Sequence, residues 1–170
     1  MKKLLFLVLL STPQAQRTQP ETKPEEIIHQ WMTEWTRLDG TDVSAARFVD
    51  LYLPDGVHET GPSARQIGIV RYEGRSDIRT MAKNFGAAHT EITFRIATVT
   101  ANEKSADIVH IGQGPWSGAS AAIEYVAAYT VKETKKRYMS TGAAFIQIQN
   151  GKIRRVRMYT PREEIMEISP

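Results

Sequence analysis

The order of the hydrophobic patterns predicts an α+β chain in which helices come first and an antiparallel sheet follows. Three observations carry this. Ile27, Ile28, Trp31, Met32, Trp35 and Leu38 recur at helical spacing. From Glu91 onward the runs turn β-branched and aromatic. Asn150-Gly151 then separates two such runs, the strongest short signal for a hairpin. The 170 residues, 41% hydrophobic and 24% charged, fit one ordinary domain and exclude a collagen-like, coiled-coil or wholly disordered chain.

Met1-Lys2-Lys3 and the apolar run Leu4 to Leu10 have the charged and hydrophobic regions of a secretory signal, too short to cross a bilayer as a helix. Residues 1–15 are read as that signal and 16–22 as a polar linker. The domain is placed at 23–163 and a tail at 164–170, with the mature protein secreted or periplasmic and free of the membrane. Thr22-Lys23-Pro24-Glu25 has a capping-box pattern, which opens a first helix running to about Gly40. A second helix is expected from Asp42 to Tyr52, burying Val43, Ala46, Phe48 and Leu51, with Pro54-Asp55-Gly56 ending it. A short strand, Val57 to Thr60, precedes Gly61-Pro62. Gly74 to Asp77 opens a third helix with Ile78, Met81, Ala82 and Phe85 inward. Strands are expected at Glu91–Thr100, Asp107–Ile111, Ile123–Val131, Tyr138–Gln149 and Lys152–Thr160.

No cysteine is present, which removes thiolate metal sites, iron–sulfur clusters, cysteine nucleophiles and disulfides together. The formal charge is +3, and Lys2 and Lys3 lie in the segment expected to be removed, so the folded part is close to neutral and unlike a nucleic-acid binder.

The tryptophan-bearing first helix, the stretch Phe48 to His58, Tyr72 to Ile78 before the third helix and the final hairpin Phe145 to Tyr159 occur in one order. Together they resemble the nuclear transport factor 2-like superfamily, in its SnoaL-like and ketosteroid-isomerase-like branch, over residues 25 to 160. The resemblance implies a cone: a curved antiparallel sheet wrapped around three N-terminal helices, with an apolar cavity inside. The same cone serves isomerases, cyclases, dehydratases, epoxide hydrolases and binding modules, so fold leaves function open. The register of the steroid isomerases puts Thr60 at their base position with Glu59 beside it. Their acid on the penultimate strand has no counterpart among Gly142, Ala143, Ala144 and Phe145. The epoxide hydrolases' last-strand aspartate falls on Met158. Neither mechanism transfers.

Strand alternation sends His58 and Thr60 to one face and Val57 and Glu59 to the other. With the family register His58 faces the cavity, and imidazole suits proton transfer near neutrality. His58 is therefore the candidate base, with Glu59, His110 or Glu124 as partner; the competing reading is a histidine that only hydrogen-bonds within the cone. Trp35, Tyr52, Thr60, Met158 and Trp116 are the candidate ligand contacts, Trp116 as a lid in the glycine-rich stretch Gly112 to Gly118. No cofactor or metal is expected. On the last strand Ile153, Arg155, Arg157 and Tyr159 are read as one outer face that forms a homodimer. Two function classes stand: a binding protein for a small, largely apolar molecule or a dimeric interaction module, and a cofactor-free isomerase, cyclase or lyase.

Overall fold

The computed structural model describes residues 23–61, 68–102, 118–161 and 165–168. The expected signal, Pro62, the strand Asp107–Ile111, His110 and Trp116 all lie outside these residues.

Helix α1 (Pro24–Thr36) starts with proline in its first turn and Glu25 and Glu26 beside it, where the helix dipole favours negative charge. Its N-cap is Lys23, not Thr22, and no side chain caps it. Ile27, Ile28, Trp31, Met32 and Trp35 form its buried face. Helix α2 (Asp42–Val49) is capped by Thr41, whose hydroxyl accepts from the Ser44 amide at 3.2 Å. That phase turns Ser44, Ala45, Phe48 and Val49 inward and leaves Val43, expected to be buried, 66% exposed. The helix stops before Tyr52, which instead begins strand β1 (Tyr52–Thr60). Pro54-Asp55-Gly56 lies inside that strand as an irregularity in its pairing rather than ending a helix.

Strand β2 (Val70–Glu73) folds back antiparallel on β1, placing Tyr72 opposite His58; four mostly exposed residues carry too little hydrophobic pattern to announce a strand. Helix α3 (Gly74–Ala88) buries Ile78, Met81, Ala82 and Gly86. Gly86 has a packing reason, because a Cβ there would lie 2.5 Å from the Gly40 nitrogen in the α1–α2 loop.

Strands β3 (His89–Asn102), β4 (Ala119–Val131), β5 (Arg137–Gln149) and β6 (Lys152–Tyr159) complete the wall, with β7 (Ile165–Ile168) in what was expected to be a tail. The order is β2-β1-β6-β5-β4-β3. β5 pairs with β7 over its first residues and with β6 over its last, so β6 and β7 lie end to end along it. Asn150 and Gly151 take φ of 52° and 67°, the left-handed pair that a two-residue hairpin needs. The sheet is mixed rather than wholly antiparallel: β1 runs parallel to β6, which is possible because α3 and four strands separate them in the chain.

Bulges set the curvature. Ile148 faces Ile153 while Gln147 faces Arg155, so β6 holds one extra residue, and β1 is irregular beside it, between Tyr52 and Val57. The extra residue turns Ile153 inward with Val156 and Met158, correcting the expectation that it shares the outer face with Arg155 and Arg157. The core lies between the inner sheet face and the helices, with Trp31, Phe48, Tyr52 and Tyr125 among its largest fully buried side chains.

Candidate functional site

The cone holds an open cavity of about 680 Å³. Every sheet strand and helices α1 and α3 reach it: Trp35 from α1, Thr60 from β1, Tyr72 from β2, Met81 and Phe85 from α3, His89 and Phe94 from β3, Tyr125 and Tyr129 from β4, Tyr138 and Ser140 from β5, Met158 from β6 and Ile165 from β7. Three of the expected ligand contacts, Trp35, Thr60 and Met158, are therefore wall residues.

His58 is not. Its side chain points inward, as alternation requires, but it is fully buried one layer below the cavity wall, ringed by Trp31, Trp35, Phe48, Tyr52 and Tyr72 with ring centroids 5.9–6.4 Å away. Tyr52, expected to touch ligand, is buried with it. The Trp31 indole N–H, which can only donate, gives its hydrogen bond to the Tyr52 hydroxyl at 2.8 Å. The Tyr52 Oη lies 2.8 Å from His58 Nδ1, and the arrangement that uses the tyrosine's own proton has it donating there. The proton of the neutral ring then sits on Nε2, which is buried with no hydrogen-bond partner among the described residues. Burial pulls the His58 pKa down to about 3, against a small opposing pull from the Glu59 charge, so the ring is neutral at physiological pH. The imidazole is thus neutral, fully buried and apart from the residues that line the cavity.

The proposed partners of His58 are elsewhere. Glu59 points to the outer sheet face, buried under three arginines: Arg155 Nη2 at 2.7 Å, Arg71 Nη1 at 2.8 Å and Arg157 Nε at 2.5 Å. Burial by itself raises its pKa, but the hydrogen bonds from Arg157, Arg155 and Arg71 outweigh that and hold it at about 2. Glu124 is also on the outer face, exposed, accepting from the Thr98 hydroxyl at 2.8 Å. None of the expected dyads forms among the described residues.

The histidine that does line the cavity is His89, where α3 gives way to β3. Its Nδ1 lies 2.8 Å from the Phe85 carbonyl oxygen, which only accepts; Nδ1 therefore carries the proton and Nε2 is the basic nitrogen. The imidazole lies against Phe85, centroids 4.3 Å apart, and meets Tyr129 nearly edge-on at 4.7 Å. Sequence reasoning missed it because it stands at a helix–strand junction, where neither periodicity assigns a face.

Tyr125 supplies the main buried polar group of the wall. Gly142 faces it across β4 and β5, and a Cβ on that glycine would lie 2.5 Å from the Tyr125 Oη. The missing side chain lets the ring cross β5 and pair with the Thr160 hydroxyl at 2.8 Å. Burial raises the phenol's pKa, so it remains a neutral hydroxyl.

A fold of three helices in a curved, unclosed sheet with an apolar interior defines the nuclear transport factor 2-like class. Within it, the SnoaL-like domain family matches residues 28–156, and the chain belongs to that family. Among the curated proteins none matches the chain. Solved structures share the fold at low identity. A Catenulispora acidiphila protein of ketosteroid-isomerase-like fold, in complex with trimethylamine, is 18% identical, covering 81% of this chain and 86% of its own with a TM-score of 0.58. An epoxide hydrolase/cyclase-like enzyme of pyran ring formation in the polyether salinomycin is 15% identical over 85% of this chain and 95% of its own, TM-score 0.60. A Mycobacterium tuberculosis protein is 12% identical over 89% of this chain and all of its own, TM-score 0.65.

Proposed function

We propose that the chain binds a small, largely apolar molecule in the cavity of the cone. The observation that carries this is the cavity itself: about 680 Å³, walled by aromatic and aliphatic side chains with a few polar groups, Thr60, Tyr125, Ser140 and Thr160, converging on it. Ala127 is buried and lies on the wall, so Ala127→Trp places an indole in the space a ligand would occupy. The neutral probe N-phenyl-1-naphthylamine is expected to brighten on binding the wild type and to stay dim with the folded variant. Equal brightening with both would sink the proposal.

A second reading, cofactor-free proton transfer of an isomerase or cyclase type, is favoured by His89 rather than His58. His89 borders the cavity with one tautomer selected, while His58 is sealed beneath it. Proton transfer by His89 predicts hydrogen–deuterium exchange beside the carbonyl of a bound ketone, lowered roughly 10²-fold or more in His89→Gln. Exchange no faster than in buffer would leave binding as the whole function.

A further inference from the structure

We infer that the ligand class of this cavity is an organic cation, an apolar body carrying a tertiary or quaternary ammonium group. This rests on the reading of the cone as a small-molecule site and adds the sign of the ligand's charge.

Aromatic rings line the space from several elements. Trp35 and Phe85 pack edge-to-face 4.9 Å apart, Phe85 and Tyr129 6.1 Å apart. Phe94 tilts against Trp35 at 5.7 Å and against Tyr125 at 5.4 Å. Rings from α1, α3, β3 and β4 therefore border the space together. An aromatic ring is negative on its face, so a box of rings attracts a cation.

The charges of the described residues agree. Among them no lysine, arginine or glutamate lines the cavity; its one imidazole is His89 and its one carboxylate is Asp77, exposed on α3. Asp77 forms no ion pair with any described residue, although cations are close by in sequence. Those cations are used elsewhere: Arg79 and Lys83 turn to Asp42, and Arg75 to the Tyr52 carbonyl and Asp50. An anion would meet an aromatic wall and a carboxylate of its own sign. An inorganic cation would want a cluster of oxygen or nitrogen ligands, and the described residues hold no such group of three. An alkylated ammonium is weakly hydrated, spreads its charge over methyl groups and matches ring faces in both shape and sign.

The test compares two isosteres, benzyltrimethylammonium and neopentylbenzene, which differ in the charge of one central atom, by titration against Trp fluorescence. Wild type is expected to bind the cation about tenfold or more tightly than the neutral isostere. Asp77→Asn should remove roughly threefold or more of that advantage, and Phe85→Leu, which alters the wall for both compounds, should weaken the cation more than the neutral isostere. Ala127→Trp should abolish both. If the neutral compound binds as tightly as the cation, the charge assignment falls while the cavity reading stands. If the cation binds Ala127→Trp as well as wild type, or its advantage is untouched by both other variants, the assignment also falls. If neither compound binds, both readings fall.

Discussion

At the scale of the residue, His58 and Glu59 are neighbours with opposite solutions to burial. His58 is buried among rings and stays neutral, while Glu59 is buried among guanidiniums and stays charged. Both make the protein acid-sensitive, in different windows. An unfolded histidine titrates near 6.5 and folded His58 at about 3, so between those values the unfolded chain holds a proton that the folded one does not. Stability therefore falls as pH drops below 6.5, by about 1.4 kcal/mol per unit for one proton. Glu59, folded at about 2 against 4.5, adds stability that is present above 4.5 and lost as pH falls toward 2. Denaturant titrations over pH should show a slope of one proton from 6 to 4.5 and a steeper one below. His58→Gln keeps an acceptor for Tyr52 and should remove one proton of slope from 6.5 down to about 3, flattening the upper window and leaving only the Glu59 contribution below it, while probe binding stays unchanged; loss of probe binding in this folded variant would show that His58 faces the ligand after all. Glu59→Gln takes the carboxylate partner from Arg155 and Arg157, while Arg71 keeps Glu73, and should cost about 2–4 kcal/mol by urea denaturation, less than a fully buried pair because the arginines are partly exposed.

At the scale of the element, the position of α3 decides the shape of the cavity, since this helix contributes Asp77, Met81 and Phe85 and hands the chain to His89. Gly86 sets how closely α3 approaches the α1–α2 loop. A methyl at Gly86 meets backbone at 2.5–2.9 Å, from Gly40, Asp39 and Leu38, and backbone cannot swing aside as a long side chain can. Gly86→Ala is therefore expected to destabilise by about 1–3 kcal/mol, the usual range for overpacking. Because Phe85 and His89 move with the same helix end, probe affinity should fall along with the melting temperature. A variant as stable as wild type would show that the contact is looser than drawn.

At the scale of the whole molecule, the outer sheet face was expected to pair two copies through Arg155 and Arg157. Those arginines already have a partner within the chain in Glu59, so they are poor markers of an interface. Phe145 is a better one: it is 51% exposed on the outer face and meets Tyr159 edge-on at 6.1 Å. If this face forms a homodimer, the wild type sediments at twice the chain mass and Phe145→Glu returns it to one. A wild type that is monomeric at high micromolar concentration ends that proposal. The expected export signal is checked separately, by mass spectrometry of the N-terminus of protein recovered from its source; an intact Met1 would argue against cleavage.

What the residues by themselves determined was local. Helical periodicity marked the buried faces of α1 and α3, a two-residue turn marked the β5–β6 hairpin, and the order of these pieces was enough to reach the correct superfamily. Alternation also put His58 inward and Glu59 outward correctly. Only the tertiary structure decided depth and partners. Inward is a direction, and whether an inward histidine meets ligand or core depends on which helix lies over it; here α1 and α2 cover His58 with Trp31, Trp35 and Phe48. Bulges in β1 and β6 reset the alternation that assigned Ile153, and a parallel pairing joins strands nearly a hundred residues apart, about which no local pattern carries information. His89 gains its place for the same reason: it becomes a cavity residue only when the end of α3 is held against β4, a contact fixed by packing across the molecule rather than by the residues beside it.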